Sequence, residues 1–133
     1  MSPVFLDTVG LLALWDEADQ WHADAARAFA AMKQSRCSLV TSEGVLLECG
    51  NAAARRPYRE EVILLRTRMV ERGEVVAPTA EELELAWEAY RLKDGAGAGI
   101  VDQISFLLMR RLQLTRAFTN DAHFRAAGFE TLF

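Results

Sequence analysis

The chain has 133 residues, with 19 Asp and Glu against 15 Lys and Arg, and therefore a formal charge of −4. This length suits one domain, and a composition that is 51% hydrophobic and 26% charged excludes an intrinsically disordered chain. The acidic balance disfavours a simple electrostatic nucleic-acid binder, because that class shows a basic excess. No apolar stretch approaches the roughly 20 residues of a membrane span. The apolar start of the chain is broken by Asp7 and lacks a basic leader, so we expect a cytoplasmic protein without a membrane partner.

Short apolar runs alternate with amphipathic segments along the first half of the chain. The run at residues 3–6 predicts a buried first strand, and apolar side chains at three- and four-residue spacing predict a helix over 19–34. Residues 38–40 predict a second strand, and either Thr41 or Ser42 could cap the helix that follows. The next two helices are predicted at residues 45–54 and 58–72.

The same alternation continues through the second half. Gly73 ends the preceding helix, and residues 75–76 predict a third strand. Thr79 and Glu82 form a capping box that opens a helix. The apolar stripe of that helix is Leu83, Ala86, Trp87 and Tyr90. The remaining predictions are a glycine-rich loop at 95–99, a largely buried helix at 100–113, a strand at 117–119, a helix at 121–127 and an edge strand at 131–133.

This order of elements predicts an α/β fold. Strands that alternate with helices form parallel β-α units, so we expect one domain over residues 1–133. Its central parallel sheet should have four to five short strands, with helices on both faces. The two cysteines, Cys37 and Cys49, lie in apolar stretches and are interpreted as buried free thiols.

Four acidic residues interrupt apolar segments instead of lying on polar helix faces: Asp7, Glu48, Asp102 and Asp121. An isolated buried carboxylate is unfavourable and requires a partner, a cap or a metal. Ligands of an open parallel sheet collect at the carboxyl ends of its strands, where Asp7 and Asp121 lie. Converging acids would repel one another and raise their own pKa values, and Mg²⁺ or Mn²⁺ would relieve that repulsion.

Each acid also has an ordinary structural explanation. Asp7 and Asp121 could cap the helices that follow them. Glu48 could lie on a polar helix face, and Asp102 could pair with an arginine later in its own helix. His123 is interpreted as a structural residue of the last helix, and His22 as a surface residue.

Four segments of the chain resemble PIN-domain ribonucleases, and among these the VapC-type toxins of toxin–antitoxin modules. The segments are FLDT (5–8), LLECGNA (46–52), VDQISF (101–106) and TNDAHF (119–124), the last followed by Gly128 and Phe129. The third and fourth are the most specific. The chain departs from the family pattern at Gly99, where Ser or Thr is usual a few residues before the third acid, and at Cys49, where Thr is frequent.

The resemblance implies a function and a set of site residues. The family's four acids correspond to Asp7, Glu48, Asp102 and Asp121, with Asp7 and Asp102 as the main ligands of Mg²⁺ or Mn²⁺. The implied reaction is hydrolysis of RNA phosphodiester bonds by metal-activated water, which leaves 5′-phosphate and 3′-hydroxyl ends. The implied partners are the RNA substrate, a second copy of the chain and a cognate antitoxin protein.

Two other classes of protein require residues that this sequence lacks, and a third class stays open. A haloacid dehalogenase phosphatase needs a second Asp two residues after the first, and that position is Val9. A receiver domain needs a late Lys, whereas the two lysines are Lys33 and Lys93. A catalytically inactive PIN-like binding module, acting through a protein partner, stays the alternative to the ribonuclease.

Overall fold

A five-stranded parallel sheet forms the centre of the computed structural model, which describes residues 3–92 and 97–133. Its strands are β1 (Val4–Leu6), β2 (Leu39–Ser42), β3 (Val75–Val76), β4 (Arg116–Phe118) and β5 (Glu130–Thr131). Their order across the sheet is β3-β2-β1-β4-β5, with every neighbouring pair parallel. The α/β fold with a parallel sheet is therefore confirmed.

Helices connect these strands. They are α1 (Thr8–Trp15), α2 (His22–Gln34), α3 (Glu43–Ala53), α4 (Arg59–Glu71), α5 (Ala80–Leu92), α6 (Ile100–Arg111) and α7 (Ala122–Ala126). Residues 93–96 lie outside the described part of the chain, and with them the first two residues of the predicted 95–99 loop. Within the described residues, no helix is long and apolar enough to cross a membrane.

The main difference from the sequence-based boundaries lies in the first connection. The helix predicted at 19–34 begins at His22, because Asp19 forms a turn in which its Oδ1 accepts the Trp21 amide at 2.8 Å. The segment before it folds as α1, a helix whose bounds the sequence pattern does not predict. Because α1 is apolar around most of its circumference, it carries no amphipathic period to reveal its limits.

Both predicted capping signals are confirmed. The Ser42 hydroxyl accepts the Val45 amide at 3.3 Å and so caps α3. Thr79 and Glu82 bond reciprocally at the start of α5, with Thr79 N to Glu82 Oε1 at 2.9 Å and Glu82 N to Thr79 Oγ1 at 3.0 Å. These local hydrogen bonds set the direction in which α3 and α5 leave the sheet.

The last two strands begin one residue earlier than predicted. β4 pairs with β5 through Arg116↔Glu130 and Ala117↔Thr131. Beyond this pairing, the Thr119 amide turns back to the Ala117 carbonyl at 3.1 Å, which ends β4 at Phe118. Phe133 packs its ring on Phe118, with the ring centroids 5.4 Å apart, and does not extend β5.

Helix α1 packs directly against β4. A Cβ atom on Gly10 would lie 2.1 Å from the Phe118 carbonyl oxygen, so only glycine permits this approach. The surrounding core includes Phe5, Leu6 and Leu11, all fully buried. The close contact holds the segment after β1 beside the end of β4.

The strand order reverses at β1, because β2 and β3 extend the sheet to one side and β4 and β5 to the other. In open parallel sheets such a reversal creates a crevice at the carboxyl ends of the two central strands. Leu6 is the register partner of Phe118, and the Asp7 amide lies 3.4 Å from the Phe118 carbonyl oxygen. The residues that follow β1 and β4 therefore meet at this crevice.

Candidate metal centre

Asp7 follows β1 and is the most deeply buried of the four predicted acids, with 1% of its surface exposed. Although it is the N-cap residue of α1, its side chain makes no capping hydrogen bond within the described residues. Its Oδ2 instead accepts the Thr119 hydroxyl at 2.9 Å. The helix-cap explanation is therefore wrong for this residue.

The environment of Asp7 disfavours its charged form. Burial and the neighbouring Asp102 raise the pKa of Asp7 to about 7, with a smaller contribution from Asp121. Hydrogen bonds from Thr119 and from the backbone of Thr8 act in the opposite direction. The charged groups that act on this carboxyl are thus acidic, which is the environment that a bound cation would neutralise.

Asp121 follows β4 and begins α7. Its Oδ1 accepts the His123 amide at 2.9 Å, so the predicted cap is confirmed. The same oxygen lies 2.8 Å from the His123 ring Nδ1, and its amide donates to the Thr119 hydroxyl at 3.1 Å. Asp121 therefore caps α7 while its carboxylate faces the crevice residues.

Asp102 is the third residue of α6. Its Oδ2 accepts the Gly99 amide at 3.0 Å, and Gly99 itself is the extended N-cap residue with φ −74° and ψ 169°. Burial raises the pKa of Asp102, the Gly99 amide lowers it, and Asp121 and Glu48 raise it further. The departure from the family pattern at Gly99 therefore leaves a backbone amide that holds the third acid.

The pairing of Asp102 with an arginine of its own helix is not realised. Arg111 makes an ion pair with Glu82 at 2.9 Å, and Arg110 lies against the Ala127 carbonyl oxygen at 3.4 Å. Both arginines are at the far end of α6, about two turns beyond Asp102. The local ion pair considered from the sequence is therefore wrong.

Glu48 lies in the second turn of α3 and its side chain is exposed. Its Oε1 accepts the Thr8 hydroxyl at 2.6 Å, which ties it to the residue that follows Asp7. It also acts electrostatically on Asp102. Glu48 is therefore solvated, as expected for a residue on a polar helix face. Its hydrogen bond with Thr8 nevertheless holds it at the rim of the crevice.

The structure brings two of the predicted acids, Asp102 and Asp121, together with a histidine. Asp102, Asp121 and His123 each offer one ligand atom, and these atoms all lie within 4.8 Å of one another. Asp7 and Glu48 border this group through the electrostatic contacts described above. We name these five residues the acid–histidine cluster.

The donors of this cluster fit a divalent cation. Carboxylate oxygens are the ligands of Mg²⁺ and Mn²⁺, and the buried, proton-retaining Asp7 shows that the negative charge lacks compensation. An imidazole beside these oxygens is a donor that divalent transition-metal ions bind. The chemistry such a set supports is metal-assisted hydrolysis.

Sequence reasoning did not assign two of the polar residues at this crevice, Thr119 and His123, to the site. Thr119 appeared only as the end of a strand, and His123 only as a structural residue. The TNDAHF segment contains both residues and could have indicated their place in the site. A residue two positions after an N-cap acid directs its amide back to that carboxylate.

The two cysteines, which lie outside the cluster, are free thiols, as predicted. Cys49 is fully buried, whereas Cys37 is only partly so. The interpretation of both as buried is therefore correct for Cys49 alone.

Comparison with known proteins identifies the family to which the chain belongs. The chain matches the PIN domain family over residues 4–130. It is 32% identical over 127 residues, 95% of either chain, to the 23S rRNA-specific endonuclease VapC20 of Mycobacterium tuberculosis, in each of two strains. The crystal structure of M. tuberculosis VapC20, described as a sarcin–ricin loop cleaving toxin, superimposes with a TM-score of 0.78 at 29% identity and covers 95% of both chains. The chain therefore belongs to the PIN-domain family and, within it, to the VapC-type ribonuclease toxins.

Proposed function

We propose that this ribonuclease uses Mg²⁺ or Mn²⁺ bound by Asp7, Glu48, Asp102 and Asp121 to hydrolyse RNA phosphodiester bonds. The observation that carries the proposal is the carboxyl of Asp7, which is buried with 1% of its surface exposed and whose pKa is raised by burial and by the neighbouring Asp102 and Asp121. Repulsion between buried acids destabilises the fold, so a protein in which Asp7 had no function would be more stable with a neutral residue at this position.

The acids of the site have different roles in the proposed reaction. Asp7 and Asp102 would hold the ion, with Asp7 oriented by the Thr119 hydroxyl and Asp102 by the Gly99 amide. Glu48, exposed and held by Thr8, would complete the coordination of the ion through water or orient the attacking water, as Asp121 would. A divalent ion bound there would lower the pKa of a coordinated water and neutralise charge on the attacked phosphate.

The inactive binding module is the less favoured function. A module kept only for binding has no need of a buried acid next to two others, and the cost of such burial is several kcal/mol, on the order of the net stability of a small domain. All four acids are present, Asp102 and Asp121 lie together, and Asp7 and Glu48 act electrostatically on Asp102 or are acted on by it, which supports catalysis.

We also propose an rRNA substrate. VapC20 is named for cleavage of 23S rRNA and described as cutting the sarcin–ricin loop, and the similarity to it spans 95% of the chain. Purified ribosomes and protein-free 23S rRNA, incubated with the protein and mapped by primer extension, should show one dominant cut. Cleavage of unrelated RNA only, with intact 23S rRNA, contradicts this substrate.

The proposed partners are a second copy of the chain and an antitoxin. Support for the dimer comes from α5, where Leu83, Trp87 and Tyr90 lie on one helix face and are 36%, 52% and 47% exposed. An exposed apolar face of this kind is typical of an interface. Light scattering should give twice the chain mass for the wild type and the chain mass for Trp87→Glu, and a monomeric wild type refutes the dimer.

The antitoxin is inferred from the description of the relative as a toxin. A ribonuclease that attacks the RNA of its own cell requires an inhibitor in the same compartment, so we place both proteins in the cytoplasm. Expression without an inhibitor should arrest growth, and expression of Asp7→Asn should not. Equal arrest by both forms contradicts a toxic activity that depends on the cluster.

A metal titration tests the catalytic proposal directly. Millimolar Mg²⁺ or Mn²⁺, added to protein freed of its partner, should raise the melting temperature, because an ion at about 100 times its Kd adds roughly 2.7 kcal/mol of stability. Asp7→Asn should lose both this rise and RNA cleavage. The exposed Glu60→Gln, which removes the same charge from α4, should keep both. Absence of a metal-dependent rise together with absence of cleavage refutes the proposal.

A further inference from the structure

His123 is the imidazole of the acid–histidine cluster. The chain has two histidines, and the other, His22, contacts the Ala13 carbonyl oxygen through its Nδ1 at 3.0 Å. The His123 side chain is 34% exposed, and its Nδ1 lies 2.8 Å from Asp121 Oδ1. The ring is thus partly exposed to solvent and held against a carboxylate.

The position of the ring is not explained by the cap of α7 alone. The Asp121 carboxylate already accepts the His123 amide at 2.9 Å, which is sufficient to cap this short helix. The ring also lies close to Asp102 on another helix, near enough to lower the pKa of that acid. A ring nitrogen and two carboxylate oxygens therefore converge from α6 and α7 on one small volume.

We propose that His123, beside Asp102 and Asp121, is an imidazole ligand of the ion bound by the four acids, and that it makes this site selective for Mn²⁺ over Mg²⁺. The inference rests on the proposed metal-dependent function and adds a nitrogen donor to its four carboxylates. Both ions prefer oxygen donors, but Mg²⁺ gives up its waters reluctantly, whereas Mn²⁺ begins the series of transition ions that also bind nitrogen donors. A nitrogen ligand therefore strengthens Mn²⁺ binding more than Mg²⁺ binding.

The presence of two histidines makes the test selective. Mn²⁺ is added to the full-length protein after removal of metals, and pulsed electron paramagnetic resonance records coupling between the ion and imidazole ¹⁴N. We expect this coupling in the wild type and in His22→Asn, the matched control. We expect its loss in His123→Asn and in His123→Gln, whose side chains offer an amide oxygen in place of the ring.

Calorimetry supplies a second measurement on the same four proteins. The ratio of Mn²⁺ to Mg²⁺ affinity should fall by about 10-fold or more in both His123 variants, and stay at the wild-type value in His22→Asn. Circular dichroism of the metal-free proteins identifies a variant that has lost its fold. Because two variants are made at position 123, the comparison can still be made with one of them if the other does not fold.

The outcomes separate this proposal from the function on which it rests. Mn²⁺ binding without ¹⁴N coupling in the wild type overturns the ligand assignment and leaves a metal-dependent enzyme in which His123 only orients Asp121. Coupling that survives in both His123 variants also overturns it. Absence of any Mn²⁺ or Mg²⁺ binding overturns the metal-dependent function as well.

Discussion

The Thr119 hydroxyl donates a hydrogen bond to Asp7 Oδ2 across 2.9 Å, and so joins the end of β4 to the end of β1. The same hydroxyl oxygen accepts the Asp121 amide at 3.1 Å, which leaves its proton for Asp7. Thr119 is fully buried. One uncharged side chain therefore orients the most buried acid of the site and connects it to a second acid.

Replacement of this hydroxyl should impair the site. Thr119→Val retains the shape of the side chain but removes the donor to Asp7 and the acceptor for Asp121. Because groups that orient metal ligands typically contribute 10- to 100-fold, we expect RNA cleavage to fall by about that factor. Unfolding by urea at pH 8 should show a loss of roughly 1–3 kcal/mol, because a buried carboxylate loses its hydrogen bond.

Thr119→Ser provides the control, since it keeps the hydroxyl and removes only a methyl group. Its cleavage rate should stay within a few-fold of the wild type. If Thr119→Val cleaves RNA as fast as Thr119→Ser, the hydroxyl has no role in orienting Asp7.

The burial of Asp7 should make the stability of the metal-free protein depend on pH. The pKa of Asp7 is raised to about 7 in the folded chain, against about 3.9 in an unfolded one. Between these values the folded state retains a proton that the unfolded state has lost, so the free energy of unfolding falls as pH rises. Over the whole window this group contributes a decrease of up to about 4 kcal/mol.

Denaturant unfolding in the presence of a chelator, from pH 4.5 to pH 7.5, measures this decrease. In Asp7→Asn the titrating group is gone, so its free energy of unfolding should fall less steeply across the same range. At pH 7.5 this variant should be at least as stable as the wild type. Parallel curves for the two proteins would show that Asp7 ionises normally in the folded state.

Two helical glycines should respond to alanine in opposite ways. At Gly10 an added Cβ would lie 2.1 Å from the Phe118 carbonyl oxygen, whereas at Gly50 nothing lies within 4 Å of it. We expect Gly10→Ala to lower the free energy of unfolding by about 1–3 kcal/mol through overpacking. Gly50→Ala should raise it by roughly 0.5–1 kcal/mol, because alanine favours the helix.

Thermal and urea unfolding of the two variants provide the comparison. Gly10→Ala should also reduce cleavage, since displacement of α1 from β4 separates Asp7 from Thr119. A Gly10→Ala protein as stable as Gly50→Ala contradicts the direct packing of α1 on β4.

The two thiols should differ in reactivity. The Ser35 hydroxyl, 3.0 Å from the Cys37 sulfur, lowers the pKa of that thiol, and the neighbouring Arg116 lowers it further. Burial raises the pKa of Cys49 to about 12. At pH 8, iodoacetamide followed by mass spectrometry should modify Cys37 first, by at least 10-fold in rate, because the thiolate is the reactive form. Equal rates in the folded protein, or faster modification of Cys49, contradict this prediction.

The sequence alone determined the class of fold and the four acids. Hydrophobic runs and their periods are local properties, so the strands appear within one or two residues of their predicted positions. A carboxylate inside an apolar segment is equally local, because its burial is unfavourable wherever the segment packs. This is why Asp7, Glu48, Asp102 and Asp121 could be selected as candidates before their partners were known, although Glu48 is exposed in the structure.

The partners of these acids were decided by the tertiary structure. Thr119 meets Asp7 only because β4 lies beside β1, and the ring of His123 meets Asp102 only because α6 and α7 converge. On α5 the apolar stripe was visible in the sequence, but Ala86 alone is buried, while Trp87 faces outward. Periodicity identifies a helix face without saying what covers it, since contacts between segments distant in the chain depend on how the strands are ordered.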